Sequence, residues 1–401
     1  MKKNLYLFAA AVVALGLASC SSDETIAENQ SLAEANEISF RSLVSGMTRG
    51  ADVVDDATTY GLKTLGFKVF ANVYNGEGSE GANYFPETNF TWNGTTSSYT
   101  SEDKYYWPSS GALNFYAWST SIAAQVTHSA TTKIFAVVPA SLSSATTAAG
   151  QTDLVFANTN NKAKAGTYAE GAKKYGADGV PINFRHAESK VIVKIKNSNP
   201  NLKFTIGNVA IGNLYGSGTF TYSGGNTGAN TDGSGTLSFS DWATSGDRNV
   251  SYSLTMTSSE SYNVLNGTTD AKNIVSTDNE MILIPQALTV ATEYASSSAG
   301  AAFNGAFITV ALKIQNTTNN AYIVGDGETY VTALWPLPTG TWNPGYKYTY
   351  TVDVAGGGYF TTNQTGTDEK LDPILDGAEI RFVNVTVDTW ADGSNEDVEN
   401  N

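Results

Sequence analysis

Strict alternation of apolar and polar residues limits most of this 401-residue chain to β-structure. The segment 346–354 (YKYTYTVDV) carries three tyrosines and two valines on one face, with lysine, threonine and aspartate on the other. The segments 191–195 and 308–314 alternate in the same way. A period of two is that of a strand with one buried face, and no long amphipathic helix is evident. Many short strands separated by glycine-rich turns predict an all-β sandwich or barrel.

Two local patterns predict irregularities within the strands. Over 380–387 the apolar face changes phase between Phe382 and Val383, which predicts a β-bulge or a strand that changes sheets. The residues 325–327 (GDG) predict the turn of a hairpin over 322–331. A chain of this length commonly forms two domains, and a fresh run of strands begins near residue 185. We therefore expect a domain boundary near that residue.

The first 20 residues have the layout of a secretory signal peptide that ends at a lipidated cysteine. Lys2 and Lys3 precede an apolar stretch of 14 residues, 5–18. This stretch is shorter than the roughly 20 residues that a membrane-spanning helix needs. Cys20 directly follows Leu-Ala-Ser, the order that a lipoprotein signal peptidase requires. We therefore expect cleavage after residue 19 and attachment of acyl chains, palmitate among them, to Cys20, which would anchor the protein in the outer membrane.

Cysteine count and charge exclude several classes of protein. Cys20 is the only cysteine, so an intrachain disulfide and a thiolate metal site are both impossible. The fold must therefore be held by its hydrophobic core. The net charge of −15 argues against a nucleic-acid partner, because phosphates repel an acidic surface. We expect no metal and no cofactor.

The chain has only two histidines, and neither stands in a catalytic motif. His186 lies in an H-x-E sequence, but a zinc deaminase also needs a C-x-x-C pair, which one cysteine cannot supply. We expect the ring of His186 to be hydrogen-bonded at a strand end, and we expect His128 to lie on the surface. A pair of catalytic carboxylates leaves no spacing signature, so a glycosidase stays open as an alternative.

An aromatic cluster lies between residues 92 and 118. Such rings can stack on sugars, but core packing and cross-strand aromatic pairs are the interpretation that we favour. The cluster consists of Trp92, Tyr105, Tyr106, Trp107, Tyr116 and Trp118.

Eight short segments occur in a fixed order along nearly the whole chain. They are the lipobox at Cys20, ISFRS (38–42) followed by TRG (48–50), YYWPSSGALNFYAW (105–118), DLVFA (153–157), INFRHAESKV (182–191), LIPQ (283–286), WNPGYKY (342–348) and VTVDTW (385–390). Together these segments resemble the fimbrillin family, the FimA-like and Mfa-like type V pilins. The resemblance implies two tandem transthyretin-like β-sandwich domains and a role as a structural pilus subunit without enzymatic activity.

The resemblance also implies a mechanism of assembly. In the family, an arginine-specific protease removes the first strand of the lipidated precursor, and a strand from the next subunit fills the vacated groove. Here the removable strand corresponds to Ile38, Phe40 and Val44, which share one face. The small residues around Arg49-Gly50 suit an exposed loop, so we expect cleavage between these two residues. Arg41 is the alternative, but it lies within the strand.

The donor strand of the family comes from the C-terminal region. Here the matching apolar residues are Ile380, Phe382, Val383, Val385 and Val387, within segment 380–390. A permanent last strand of the second domain is an equally open interpretation of that segment. The expected organisation is a signal peptide (1–19), a tether with the removable strand (20–49), an N-terminal sandwich (50–185) and a C-terminal sandwich (186–401).

The leading hypothesis is therefore a surface pilus subunit that supports adhesion and polymerises with other pilin subunits. The alternatives are a tip or anchor subunit of the pilus, and a monomeric surface lipoprotein that binds a host glycan or protein.

Overall fold

The computed structural model describes seventeen segments of the chain, and β-strands dominate them. The segments are residues 36–43, 61–76, 80–120, 126–129, 134–137, 153–164, 173–175, 179–222, 241–245, 248, 250–254, 264–272, 281–290, 294–297, 300–361, 371–375 and 382–389. The expected all-β fold is confirmed: the described helical structure is one short α-helix, α1 (Leu62–Leu65), and one 3-10 turn (Val354–Gly356).

Twelve strands lie in the first half of the chain. They are β1 (Phe40–Leu43), β2 (Phe67–Tyr74), β3 (Glu80–Asn93), β4 (Ser98–Thr100), β5 (Leu113–Thr120), β6 (Val126–Ser129), β7 (Ile134–Val137), β8 (Leu154–Lys164), β9 (Lys173–Tyr175), β10 (Val180–Asn183), β11 (Arg185–His186) and β12 (Ser189–Asn197).

Further strands follow in the second half. They are β13 (Leu202–Leu214), β14 (Ser217–Thr221), β15 (Trp242–Ser245), β16 (Val250–Leu254), β17 (Val264–Asn266), β18 (Thr268–Lys272), β19 (Met281–Leu283), β20 (Ala287–Leu288), β21 (Tyr294–Ser297), β22 (Gly300–Phe303), β23 (Phe307–Asn316), β24 (Tyr322–Val324), β25 (Val331–Pro336), β26 (Gly340–Thr341), β27 (Tyr346–Asp353), β28 (Tyr359–Phe360) and β29 (Phe382–Thr389).

Four sheets carry most of these strands. A nine-stranded sheet has the order β10-β1-β4-β3-β2-β5-β8-β11, with β9 beside β8. A five-stranded sheet has the order β18-β12-β27-β29, with β19 on β12. A seven-stranded sheet has the order β16-β13-β23-β25-β28, with β17 and β24 on β13 and β23. A four-stranded sheet has the order β15-β14-β7-β6, and two strand pairs, β20-β26 and β21-β22, complete the described topology.

Three hydrophobic clusters form the interior. The first cluster contains residues between 38 and 184, and its centre is a group of phenylalanine rings. The second cluster lies between the five-stranded and seven-stranded sheets and contains residues from 191 to 354. The third cluster draws on both halves, because Trp118 and Phe135 pack with Phe220 and Trp242. The four-stranded sheet spans the same halves, since β7 pairs with β14.

The alternating segments bury the faces that their patterns predict. In β27, Tyr348, Tyr350 and Val352 belong to the second cluster, and they lie opposite polar residues that are more exposed. The same cluster contains Val191, Val193 and Ile195 of β12 and the valine and isoleucines of β23. The predicted irregularity in the last strand is also confirmed. Residue 383 is skipped in the ladder, because Thr351 pairs with Asn384 and Val352 pairs with Phe382.

The hairpin predicted over 322–331 is wrong, although its turn is correct. Asp326 closes the turn, since its Oδ1 accepts hydrogen bonds from the backbone N–H groups of Glu328 and Thr329 at 2.8 and 2.6 Å. The flanking strands β24 and β25 do not pair with each other; both pair with β23. The two strands of this segment therefore both lie beside β23, with the loop between them, and β25 also pairs with β28.

Candidate functional site

The predicted removable strand is the second strand of the nine-stranded sheet. β1 pairs in parallel with β10, so that Phe40 stands opposite Val180 and Leu43 opposite Asn183. On its other side, Phe40 pairs with Tyr99 of β4 in the antiparallel direction. β1 thus separates two strands that do not pair with each other, and its removal would expose hydrogen-bonding groups on both of them.

The side chains of this strand fill the centre of the first hydrophobic cluster. Ile38 and Phe40 are both 0% exposed. The ring of Phe40 lies edge-on to three others, with centroids 4.8 Å from Phe90, 5.1 Å from Phe115 and 6.2 Å from Phe67. Burial of two such side chains contributes about 1.5–3 kcal/mol each, and favourable ring pairs add about 0.5–1.5 kcal/mol. The strand is therefore an integral part of the core although it lies near the N-terminus.

Backbone contacts hold the strand along its length. The N–H of Ile38 donates to the Tyr105 carbonyl at 2.8 Å, and the N–H of Val180 donates to the Ser39 carbonyl at 2.8 Å. Gly179 has φ +76°, and a Cβ at that position would lie 3.0 Å from the carbonyl carbon of Phe40. A residue without a side chain is thus required where β10 begins beside β1.

Polar residues lie directly before β1 and on its exposed face. Before the strand, Lys104 Nζ lies 2.7 Å from Glu37 Oε1 in an exposed ion pair. Within it, the Arg41 side chain is exposed while its backbone pairs with Pro181. This pairing supports the expectation that Arg41 is a poor protease site. Val44, the predicted cleavage residues Arg49 and Gly50, and the predicted lipidation residue Cys20 lie outside the described residues.

The predicted donor strand forms the edge of the five-stranded sheet. β29 pairs antiparallel with β27, from Val352–Phe382 at one end to Tyr346–Thr389 at the other. Val385 and Val387 are half-buried and pack against the second cluster. Phe382 and Val383 are described by their backbone alone, and Ile380 lies outside the described residues. Among the described strands β29 therefore pairs on one side, whereas β1 pairs on both.

His128, which we expected on the surface, is buried, and that expectation is wrong. Its Nδ1 lies 2.5 Å from Glu87 Oε2, and its Nε2 lies 2.9 Å from the Tyr222 hydroxyl. Lys68 Nζ and Trp118 Nε1 also donate to Glu87, at 2.8 and 3.2 Å. Partial burial acts to raise the pKa of Glu87, but hydrogen bonds from His128, Lys68 and Trp118 and the charge of Lys68 outweigh it and lower the pKa to about 2. This network links the two halves of the chain, because Tyr222 lies 94 residues after His128.

His186 is hydrogen-bonded at a strand end, as expected. Its Nδ1 lies 3.0 Å from Asp153 Oδ1. Glu188 follows two residues later, fully buried, and its Oε2 accepts a hydrogen bond from the Leu154 N–H at 2.8 Å. Burial, reinforced by the charge of Asp153, holds the pKa of Glu188 well above its ordinary range. Asp153 and Glu188 are 0% exposed, and His186 is 9% exposed.

The remaining observations concern ligands and membranes. Among the described residues, no group of three or more histidine, cysteine, aspartate or glutamate side chains is arranged to hold a metal ion. The helices in that part of the chain are too short or too polar to cross a membrane. Most of the aromatic cluster packs as predicted in the first and third hydrophobic clusters, whereas Tyr106 is 45% exposed.

The sequence interpretation missed two features of the structure around β1. It did not identify β10 as its neighbour, and it did not identify Gly179 as the point of close approach. A glycine directly before the apolar pair Val180 and Ile182 was the available signal, since an isolated glycine at a strand end often marks a close backbone contact.

The fold and the described residues define an all-β structural protein whose first strand is built into its core. The chain belongs to the fimbrillin-like family, whose sequence model matches residues 57–390. It is accordingly a pilus-related subunit of the cell surface and not an enzyme. No curated protein matches the sequence.

Solved structures are similar to this chain at low sequence identity. A fimbrial protein from Bacteroides vulgatus aligns with a TM-score of 0.51 and 14% identity, over 86% of this chain and 99% of that chain. The tip fimbrial protein Mfa3 from Porphyromonas gingivalis aligns with a TM-score of 0.35 and 10% identity, over 88% of this chain and 100% of that chain. At such identities the first of these likenesses supports the fold alone.

Proposed function

We propose that this protein is a precursor subunit that polymerises when proteolysis removes β1 and a strand of another copy takes its place. The supporting observation is the position of β1 between β10 and β4, with Phe40 buried among three rings. Loss of β1 would leave a groove with apolar walls and two unpaired strand edges. A strand supplied by another subunit would cover the apolar groove and pair with both strand edges.

The donor in this proposal is segment 380–390. β29 is an edge strand, and Val385 and Val387 are half-buried, so it can leave its own sheet at lower cost than a central strand. Its alternation of apolar and polar residues matches what the groove requires, because every second side chain must enter the core. Each subunit would then give one strand and receive one.

Processing and location complete the proposal. Lipidation at Cys20 would hold the precursor at the outer membrane through its acyl chains. Cleavage between Arg49 and Gly50 would then release the mature subunit, with its two sandwich domains, into a fimbrium that mediates adhesion to host surfaces. The partners are other pilin subunits, and no nucleic acid or cofactor is involved.

Limited digestion of the lipid-free precursor, beginning at Ser21, tests this proposal. An arginine-specific protease should cut after Arg49, and the product should form oligomers that resist detergent, measured by mass spectrometry and native size analysis. Arg49→Ala should abolish both cleavage and growth, whereas Arg41→Ala should leave both unchanged. A cleaved product that stays monomeric would contradict strand exchange.

One observation favours a second candidate function. β29 pairs with its own β27 over most of its length, as a permanent last strand would. A tip or anchor subunit, or a monomeric lipoprotein that binds a host glycan or protein, needs no donor strand. A chain lacking residues 380–401 separates the two candidates. It should still accept a strand but fail to extend the polymer if the segment is the donor.

A further inference from the structure

We infer that the parallel pair β12–β27 is a force-bearing clamp that carries tension along the pilus through each subunit. The inference rests on the proposed strand exchange, because that exchange fixes where the load enters and leaves the chain. It adds a mechanical function for two strands that belong to neither the groove nor the donor segment.

Most of the load enters the subunit at β10, because β10 pairs with four residues of β1 and β4 pairs with one. A strand that replaces β1 pairs with β10, whose four residues lie opposite Phe40–Leu43 in the present structure. β10 continues through β11 directly into β12, and residues 179–222 are described without a break. Tension on the groove therefore reaches the N-terminal end of β12 through covalent bonds, whatever happens to the rest of the nine-stranded sheet.

The load leaves the subunit beyond β27. The proposed donor segment, 380–390, follows β27 in the chain, so tension from the next subunit pulls on the C-terminal end of that strand. In the five-stranded sheet, β27 lies between β12 and β29. Once β29 has departed to another subunit, β12 is the described strand that still pairs with β27.

The parallel direction of the β12–β27 pairing determines how the clamp resists force. β12 and β27 run parallel through seven consecutive pairs, from Lys190–Lys347 to Lys196–Asp353. One strand is pulled at its N-terminal end and the other at its C-terminal end, so the strands must slide past each other. All the hydrogen bonds then bear load together. Two antiparallel strands pulled in this way would be loaded at one end and would open pair by pair.

The packing around the pair supports the same role. Val191, Val193 and Ile195 are buried on β12. They lie beside the buried residues of β27 on the same face of the sheet. The Tyr350 hydroxyl accepts a hydrogen bond from Trp342 Nε1 at 2.8 Å. Sliding by one residue would turn this whole apolar face away from the core, because side chains alternate along a strand. Burial thus opposes the motion that the load favours.

Single-molecule pulling on the monomer tests the inference directly. The lipid-free chain beginning at Ser21 has no cysteine, so two introduced cysteines serve as the only handles. In the first variant, Asn183→Cys with Ala355→Cys, force acts at opposite ends of β12 and β27. In the matched control, Asn183→Cys with Thr339→Cys, force acts at the same end of both strands. The paired residues themselves are unchanged in both variants.

The expected result is a rupture force several-fold higher in the first variant, up to the limit at which all seven pairs share the load. Equal forces, or a lower force in the first variant, would overturn the clamp. If the handle at Ala355 impairs folding, judged by thermal denaturation, Thr361→Cys loads the same end of β27 once the two pairs between β28 and β25 have separated. Because the measurement uses a monomer, a chain that resists force but never polymerises would refute only the proposed function. A chain that polymerises but ruptures equally in both variants would refute only the clamp.

Discussion

Replacement of Phe40 by alanine should destabilise the precursor by about 3–5 kcal/mol, the usual cost of truncating a buried phenylalanine to alanine. The side chain is 0% exposed and touches the rings of Phe90, Phe115 and Phe67 with centroids within 6.2 Å. Part of the cost is lost burial, and the rest is the cavity left between rings that belong to three strands. These strands are paired in a sheet, which limits how far they can collapse into the space.

Urea denaturation of the lipid-free precursor measures this loss. With a slope of about 1–3 kcal/mol per molar urea, the midpoint should fall by more than about 1 M. Arg41→Ala is the matched control, because it changes the neighbouring residue of the same strand where the side chain is exposed. The control should shift the stability by less than about 0.5 kcal/mol.

The same variant has a second expected result, which concerns the stability of the processed subunit. Phe40 lies in the segment that the proposed cleavage would remove, so the processed subunit should show no difference between the variant and the parent. A destabilisation below about 1 kcal/mol in the precursor would refute the view that β1 is part of the core. An equal destabilisation after processing would show that β1 stays in place when the chain is cut, and would refute strand removal.

Three further changes test other parts of the structure. Gly179→Ala should lower the thermal midpoint more than Gly111→Ala, because both glycines have positive φ (+76° and +84°) but a Cβ would meet the backbone of β1 only at the first; equal shifts would mean that the close approach has no energetic weight. The folded-state pKa of Glu87, about 2, is below its ordinary 4.5, so its contribution to stability is present above pH 4.5 and lost as the pH falls toward 2. Glu87→Gln should flatten the pH dependence of urea midpoints in that window, and an unchanged slope would contradict the assigned network. Tyr350→Phe should cost about 1–3 kcal/mol in urea denaturation, because the buried Trp342 N–H loses its 2.8 Å acceptor; a neutral result would mean that another acceptor replaces the hydroxyl.

The buried faces of the strands were predictable because they depend on local alternation. Tyr348, Tyr350 and Val352 occupy the core side of β27, as the period of two requires. The irregularity near Val383 was equally local, since the change of phase in the apolar pattern predicted either a bulge or a change of sheet, and the ladder shows the register shift.

The errors arose where distant segments decide the outcome. His128 has small polar neighbours in sequence, but Tyr222, 94 residues further along the chain, helps to bury it. The turn at Asp326 forms through hydrogen bonds to its own side chain. The strands on either side of the turn, β24 and β25, both pair with β23 and not with each other. The candidate site also depends on segments that are distant in the sequence. Alternation identified β1, but its parallel partner lies about 140 residues away and no local pattern specifies such a register.

The third hydrophobic cluster has a consequence for the order in which the protein folds. Phe135 and Trp118 belong to the first half of the chain, but they are covered by Phe220 and Trp242, about 100 residues later in the sequence. While the first half exists alone, it presents an apolar surface and the unpaired edge of β7 to its surroundings. Such edges recruit strands from other molecules, so a nascent or truncated chain is open to aggregation until residues 217–245 arrive. A periplasmic chaperone that shields this surface would therefore have to release it only after the second half has emerged, and the timing of that release would set the yield of folded subunits.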